Sequence, residues 1–529
     1  MNAKPPMPQP GSWMNAQPKT APGGQRQKTR KSRWQLVLLL LVIILIVVAV
    51  LAAADFKRGS TTLSMQVGGQ PDVALDLGQS IAISPYLYGS NVFPQTGTTA
   101  QDQAGQGMMS YEQAVISGLR SANIKLLRFP GGNWGEQHTP STEQLNDFSG
   151  LLNQVGAEGS MQVPLSDPDD LVPVQLETRA SRAALLVDYM NNRQSIQRTD
   201  TRAPFHAIKY WSIGNQPDLL TDPDTQKTYT VAGYTQAFIT YSLAMHQKDP
   251  TIKIFGPELS QYLGQAGPKD AAGQLWMEKF LTDISNYQHT HALPFHLLDG
   301  VSLHYYPFDH QKEEPDALLN SSAQLDRLLP PLRQFIRQKF GADLPLAITE
   351  INSNSTKNVS SPALAATWWA DTVGKLMANQ VEYVAFFSTE GVDAPYPLFT
   401  RTGLKETAML RSMQLFTRLQ QNLIPTQGNA GPVSMYATQN QAQTVVSVLL
   451  INKTNQDQQV KLHAATILPW SPWRAATLTL HAYGLLVVTL HQGGSDEAFS
   501  FSNTQDTQKA VPDVQHLVCQ STTDATLVC

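Results

Sequence analysis

From residue 84 the chain alternates between two hydrophobic rhythms. Short runs rich in β-branched and aromatic residues occur at SPYLYGSNVF (84–93), IKLLRFPGG (124–132), EGSMQVPLS (158–166) and IKYWSIGNQ (208–216). Four more follow at IKIFGPEL (252–259), LDGVSLHYYP (298–307), LPLAITEIN (344–352) and VEYVAFFSTE (381–390). Between them, apolar positions fall three and four apart, as in YEQAVISGLRSAN (111–123), TQAFITYSLAMHQ (235–247), SAQLDRLLPPLRQFIRQKF (322–340) and ALAATWWADTVGKLMANQ (363–380). Strands alternating with amphipathic helices predict a parallel sheet covered by helices. Eight such units predict an α/β fold of the (β/α)8 TIM-barrel kind over residues 84–420. The alternative, an open doubly wound sheet, is disfavoured by the count of eight and by the lack of a G-x-G-x-x-G run after any strand.

The flanks read differently. Residues 56–83 contain TTLSMQVGGQPDVALDLGQSIAI, which predicts two strands, and residues 421–491 show strand-like runs at 444–454, 458–464 and 476–490 separated by turn residues. Together they predict one β-sandwich appended to the barrel. Residues 492–529 are polar and are expected to form a loose C-terminal tail.

The N-terminus adds a third pattern. Residues 1–34 hold seven basic residues, no acidic ones and no apolar period, which predicts a disordered basic tail. Nineteen uncharged apolar residues follow, Leu36 to Ala54, enough to cross a hydrocarbon core of roughly 30 Å. A transmembrane helix over 35–55 is expected. The excess of basic residues before it puts the tail in the cytoplasm and the main domain on the far side of a cell membrane. A cleaved signal peptide ending near Ala52-Ala53-Ala54 is the competing reading, and it exports the same domain.

Charge then narrows the partners. The chain has 38 basic and 42 acidic residues; without the tail's cations the remainder stands at 31 against 42. An acidic ectodomain argues against nucleic acid as a partner. The two cysteines, Cys519 and Cys529, either close a small disulfide loop or stay unrelated. Neither has neighbours at metal-ligand spacing, and no metal or cofactor is expected.

In a barrel the chemistry sits at the C-terminal ends of the strands. Strand 2 ends in Arg128-Phe129-Pro130-Gly131-Gly132-Asn133-Trp134 and strand 4 in Gly214-Asn215-Gln216-Pro217. Strand 6 ends in His304-Tyr305-Tyr306, strand 7 in Thr349-Glu350-Ile351 and strand 8 in Thr389-Glu390. The ordered set SPYLYGSN, LRFPGGNW, WSIGNQPD, HYY and TEINS resembles the retaining barrel glycoside hydrolases, in particular the heparanase and β-glucuronidase branch, with the α-arabinofuranosidase and β-xylosidase families nearby.

That resemblance implies a carbohydrate ligand and a mechanism with two carboxyl groups about 5–5.5 Å apart, one a nucleophile and one a general acid and base. It implies Glu350 as the nucleophile, Tyr306 as the phenol that orients it, and His304 beside them. Asn215 would bind the sugar 2-hydroxyl, while Arg128 and Asn133 line the site. Trp134 either stacks on a sugar face or caps the barrel core, and Glu390 would lie at the site's edge. The acid position holds Gln216, and an amide has no proton to give. General acid–base catalysis is worth about 10²–10⁴-fold, or about 3–5 kcal/mol of barrier. Three readings stay open: an acid from elsewhere (Glu258, Glu136 or Glu390), substrates whose leaving groups need no acid, or a carbohydrate-binding protein that has lost the chemistry.

Overall fold

A computed structural model of the 529-residue chain describes residues 62–68, 73–95, 108–166, 174–356, 359–390, 396–427, 431–464, 476–492, 496–502, 509, 512–516, 520–521 and 527–528. The expected basic tail, the expected transmembrane helix and both cysteines lie outside them. Among the described residues no helix is long and apolar enough to cross a membrane.

The strands in chain order are β1 (Thr62–Val67), β2 (Val73–Asp76), β3 (Ile81–Ala82), β4 (Gly89–Asn91), β5 (Leu126–Phe129), β6 (Glu158–Val163) and β7 (Tyr210–Ile213). A small hairpin, β8 (Thr221–Asp222) and β9 (Lys227–Thr228), follows. Then come β10 (Lys253–Leu259), β11 (Gly300–Tyr305), β12 (Leu346–Ile351) and β13 (Tyr383–Phe386). Strands β4, β5, β6, β7, β10, β11, β12 and β13 close into a barrel, each parallel to the next, with Phe386 of β13 beside Ser90 of β4. The expected (β/α)8 barrel is therefore present. Its first strand is shorter than the 84–93 run, because Pro85–Leu87 turns as a 3-10 helix with the Ser84 hydroxyl accepting from Tyr86 N at 3.2 Å.

The helices outside the barrel include α1 (Gln113–Ser121), α2 (Asn133–Gln137), α3 (Thr142–Val155), α4 (Leu176–Asn191), α5 (Val231–Lys248), α6 (Trp276–Thr290), α7 (Pro315–Ser321), α8 (Leu325–Phe340), α9 (Pro362–Ala378) and α10 (Ala408–Phe416). Local chemistry sets their ends. In α3, Ser141 and Gln144 form a reciprocal capping box, and Gly156 closes the helix at φ 75°. In α9, Ser361 caps the Leu364 amide and Pro362 takes the first turn, where its missing N–H costs nothing.

Alternation along the strands gives the barrel interior two layers. Leu126, Tyr210, Phe255, Ala347, Tyr383 and Ala385 fill the lower one, with Tyr383 at 5.1 Å from Phe255 and 5.2 Å from Tyr210, ring centre to ring centre. Two residues further along β5 and β7 the same face carries Arg128 and Ser212, so the upper layer is polar. An apolar floor beneath a polar upper layer excludes water from below. Charged groups then act on one another in a medium where their interactions are strong.

The C-terminal strands are β14 (Asn422–Ile424), β15 (Thr426–Gln427), β16 (Val433–Gln439), β17 (Val445–Asn452), β18 (Gln458–Ala464), β19 (Ala476–Leu480), β20 (Leu485–His491), β21 (Glu497–Phe501) and β22 (Asp513–His516), with a last hairpin of β23 (Gln520–Ser521) and β24 (Leu527–Val528). One sheet runs β15-β2-β1-β18-β19 and the other β22-β21-β20-β17-β16-β14-β3. Val446, Val448 and Leu450 of β17 face the core between the two sheets, while Leu449 and Ile451 pack into the barrel's outer core. Both faces of this sheet are buried, which is why its central strand reads as an unbroken apolar run.

Two expectations need correcting. The 56–83 segment supplies three strands rather than two, the third joining the opposite sheet. The 492–529 segment is not simply a loose tail, because β21 pairs with β20 and β22 with β21. Ala498, Phe499 and Phe501 are buried there, and five residues with two aromatics are too short a signal to stand out among the surrounding Ser, Asp and Gln.

Candidate active site

Arg128 is the hub of the polar layer. Its side chain is fully buried, and its two terminal nitrogens reach five acceptors on five different barrel units. Nη1 donates to Asn91 Oδ1 at 2.9 Å and to Glu350 Oε1 at 3.0 Å. Nη2 donates to Glu258 Oε2 at 2.9 Å, Asn215 Oδ1 at 3.0 Å and Gln162 Oε1 at 3.2 Å. Burial works against the guanidinium's charge, but Glu258 and Glu350 outweigh it and hold Arg128 above its ordinary pKa. One fixed cation thus sets the positions of the strand 7 carboxylate and the strand 4 amide together.

Glu350 is 4% exposed and is gripped from both sides. Its Oε1 takes the Arg128 bond, and its Oε2 accepts from the Tyr306 hydroxyl at 2.8 Å. Burial, then the Glu350 charge, push the Tyr306 phenol well above its usual pKa, so it remains a donor. Gly132 approaches from the strand 2 loop at φ 58°, where a Cβ would lie 2.5 Å from Glu350 Oε1. Glycine is required there on both counts.

Gln216 lies opposite. Its Nε2 is 3.0 Å from His304 Nδ1, and the same imidazole nitrogen is 3.4 Å from Glu350 Oε2. Laid end to end, those distances place the Gln216 amide within about 6.4 Å of the Glu350 carboxylate. That limit admits the ~5–5.5 Å separation of retaining carboxyl pairs. Gln216 has φ 50° and Glu258 has φ 60°, a conformation rarely adopted outside glycine, and the Gln216 amide N–H donates to Glu258 O at 2.9 Å. Two such residues bonded to each other at neighbouring strand ends are the kind of stored strain that marks a functional site.

The other expected residues divide. Asn215, buried, joins the cluster and donates to Asn133 Oδ1 at 3.0 Å. His304, fully buried, lies between Glu350 and Glu258, with Nε2 at 3.5 Å from Glu258 Oε2. Glu258 joins too, although burial alone would favour its neutral form; Arg128 and His304 hold it below the usual carboxylate range. Its ion pair with Arg128 at 2.9 Å makes Glu258 a counter-ion within the polar layer.

Glu136 lies behind the strand 4 loop. Its Oε2 accepts from Leu165 N at 3.0 Å, its Oε1 accepts from Gln162 Nε2 at 3.3 Å, and burial raises it to about 7 against those bonds. Trp134 stacks on His138 at 4.7 Å between ring centres and is 9% exposed, which suits a cap. Glu390 is buried and accepts from Ser110 N at 3.1 Å.

Three contributors were not singled out from the sequence. Asn91 ends the first strand motif, and Gln162 lies two residues after Ser160 on one face of β6, so strand-end position and period would have found both. Gln261, which bonds the Tyr306 backbone carbonyl at 2.9 Å, lies in a loop with no such signal. A separate cavity of about 160 Å³, lined in part by Pro130, Arg179 and Tyr241, shares Gln162 with the cluster and none of its carboxylates. Among the described residues no group of His, Cys, Asp and Glu has the arrangement of a metal site.

With this geometry in view, comparison with known proteins gives a consistent result. Residues 119–309 match the model of Glycoside hydrolase family 44, a span that holds Arg128, Asn215, Gln216, Glu258 and His304 but not Glu350. The chain has a glycoside-hydrolase fold. A family 51 α-L-arabinofuranosidase from Bifidobacterium longum superposes with a TM-score of 0.58 at 15% identity, over 86% of this chain and 95% of that one. A family 44 xyloglucanase from Paenibacillus polymyxa, solved with xyloglucan, gives 0.55 at 14% identity, over 78% and 98%. In sequence, a probable α-L-arabinofuranosidase C of Aspergillus clavatus is 24% identical over 238 residues, 42% of this chain. The match spans 43% of that relative's length.

Proposed function

We propose that the protein is a retaining glycoside hydrolase in which Glu350 attacks the anomeric carbon and Gln216 stands at the acid position. The observation that carries this is the grip on Glu350: Arg128 on one oxygen, Tyr306 on the other, and Gly132 leaving the room to hold it. Two bonds aim the carboxylate and fix both of its oxygens, which is the pre-organisation a nucleophile requires. Asn215 and Asn133 are placed to bind sugar hydroxyls. The names of the similar proteins point to a pentofuranosyl or glucosyl unit in the site. The ordered motifs keep the heparanase and β-glucuronidase branch as the finer placement. The apolar run Leu36 to Ala54 supports a single-pass membrane anchor with the barrel outside the cell.

The test is incubation with activated 2-fluoro glycosides followed by peptide mass spectrometry. A sugar on Glu350 is expected. No label with any of the arabinosyl, glucosyl or glucuronyl reagents would remove the assignment.

Gln216 itself favours a second reading, a carbohydrate-binding surface protein that kept the cleft and lost turnover. Calorimetric binding of oligosaccharides with no reducing ends released over days would select it.

A further inference from the structure

The position of His304 raises a question that Gln216 leaves open: which group handles the proton. The imidazole is fully buried, and its neighbours come from every side of the polar layer. Glu258 on β10 lies 3.5 Å from Nε2, Glu350 on β12 lies 3.4 Å from Nδ1, and the half-buried Gln216 amide covers Nδ1 at 3.0 Å. Arg128 on β5 binds both carboxylates, Tyr306 donates to one of them, and Asp218, tied to Ser260 N at 3.0 Å, adds a further carboxyl nearby.

Charge can be counted across the tightest part. One guanidinium faces two carboxylates in a buried space, leaving one negative charge uncompensated unless the imidazole carries a proton. A bare Nδ1 would also direct its lone pair toward Glu350 Oε2. A proton there turns that contact into attraction, and the Gln216 amide can present its oxygen instead of its nitrogen.

We propose that His304, held by Glu258, is the general acid and base of this barrel. The proposal rests on Glu350 being the nucleophile. As Glu350 attacks, the bond from the anomeric carbon to the leaving oxygen breaks and its electron pair goes to that oxygen. The leaving oxygen takes the Nδ1 proton once the Gln216 side chain rotates aside. Glu350 becomes a neutral ester at that moment, so the imidazolium loses the nearer of its two counter-ions just as its proton is required. In the second half, water attacks the anomeric carbon and the ester bond breaks back to the Glu350 carboxylate. The water's proton returns to Nδ1, now facing an anion again. Glu258 remains ionised throughout and fixes the ring, so it is a positioning residue.

The experiment compares wild type with His304→Gln and His304→Asn in the full chain, with 2-fluoro labelling of Glu350 as the check that each folds and keeps its nucleophile. Wild type should show an alkaline limb in kcat/KM on glycosides with sugar leaving groups, and sodium azide should neither speed it nor yield a glycosyl azide. In the variants that limb should vanish, and turnover of sugar leaving groups should fall about 10²–10⁴-fold, with dinitrophenyl glycosides much less affected. Azide should then accelerate them and appear in the product. Gln216→Glu should gain less than tenfold on sugar leaving groups, since a proton donor is already present.

Azide acceleration of wild type, an alkaline limb surviving in labelled His304 variants, or a Gln216→Glu gain of 10²-fold or more confined to poor leaving groups would each overturn the role of His304 while leaving Glu350 in place. Failure to label wild type overturns both.

Discussion

Gly132→Ala tests the grip on the nucleophile without removing any group that touches substrate. The added Cβ would lie 2.5 Å from Glu350 Oε1, the atom that accepts from Arg128 at 3.0 Å. Ordinary contact begins near 3.4 Å, so the carboxylate or the loop must yield by about 0.9 Å. The backbone resists yielding, because Gly132 has φ 58° and ψ −128°, a region that alanine adopts only at a cost of about 1–3 kcal/mol. Glu350 sits at the end of one barrel strand with Tyr306 on its other oxygen, and a shift of about 1 Å in a reacting group is worth about 10²-fold in rate. The expected result is a kcat on dinitrophenyl glycosides lower by about 10²-fold, a slower approach to full 2-fluoro labelling, and a loss of stability of about 1–3 kcal/mol in urea unfolding. A folded Gly132→Ala protein that labels and turns over at the wild-type rate would refute the claim that this glycine makes room for the nucleophile.

Tyr306→Phe removes the 2.8 Å bond to Glu350 Oε2; a bond to a charged group is worth about 1.5–3 kcal/mol, so kcat/KM on aryl glycosides should fall by about 10–10²-fold and stability in urea unfolding should fall by up to the same energy. Glu136 should make stability depend on pH. Its folded pKa of about 7 lies above the model carboxyl value of 4.5, so its contribution is complete below about 4.5 and is lost as pH rises through about 7. Glu136→Gln should therefore unfold at higher urea than wild type at pH 8 by an amount that shrinks toward pH 5, and parallel curves across that range would contradict the burial argument. Asp371 of α9, fully buried, accepts from Ser322 Oγ at 2.5 Å and from Tyr436 Oη of β16 at 2.7 Å, tying a barrel helix to the sandwich. Asp371→Ala leaves those donors unmatched and should cost about 3 kcal/mol or more by calorimetry while leaving kcat on the remaining folded protein unchanged.

The barrel was readable because each unit repeats two periods that packing enforces. The strand LAITEI of β12 buries both faces, and helix α9 follows it with a capped start. Helices α3, α4 and α6 give a weaker local signal, because their apolar faces are diluted by Asn, Gln, Arg and Glu on the solvent side. Strand β21 was missed for a related reason: EAFSF is five residues long, and its burial comes from the sheet edge and the barrel helix α10, neither of which a local pattern can report. Tertiary partners set burial, while local periods record only the part of it that repeats.

The site shows the same division at the scale of single residues. Strand-end position singled out Arg128, Asn215, Gln216, His304 and Glu350 one at a time, and the barrel brings them into one cluster because it directs those ends to one face. It could not assign Glu258, which qualified as a spare acid on position alone. What makes it an anion is a guanidinium 130 residues away in the chain and an imidazole 46 residues away, brought to 2.9 and 3.5 Å by closure of the barrel. Once Glu258 is a fixed charge, the meaning of Gln216 changes. A glutamate at 216 would put a third carboxylate around one arginine and one histidine in a buried layer, where like charges are costly. The amide avoids that third anion and keeps a hydrogen bond to His304 at 3.0 Å. Gln216 therefore adds no charge to a layer in which Arg128 already faces both Glu258 and Glu350.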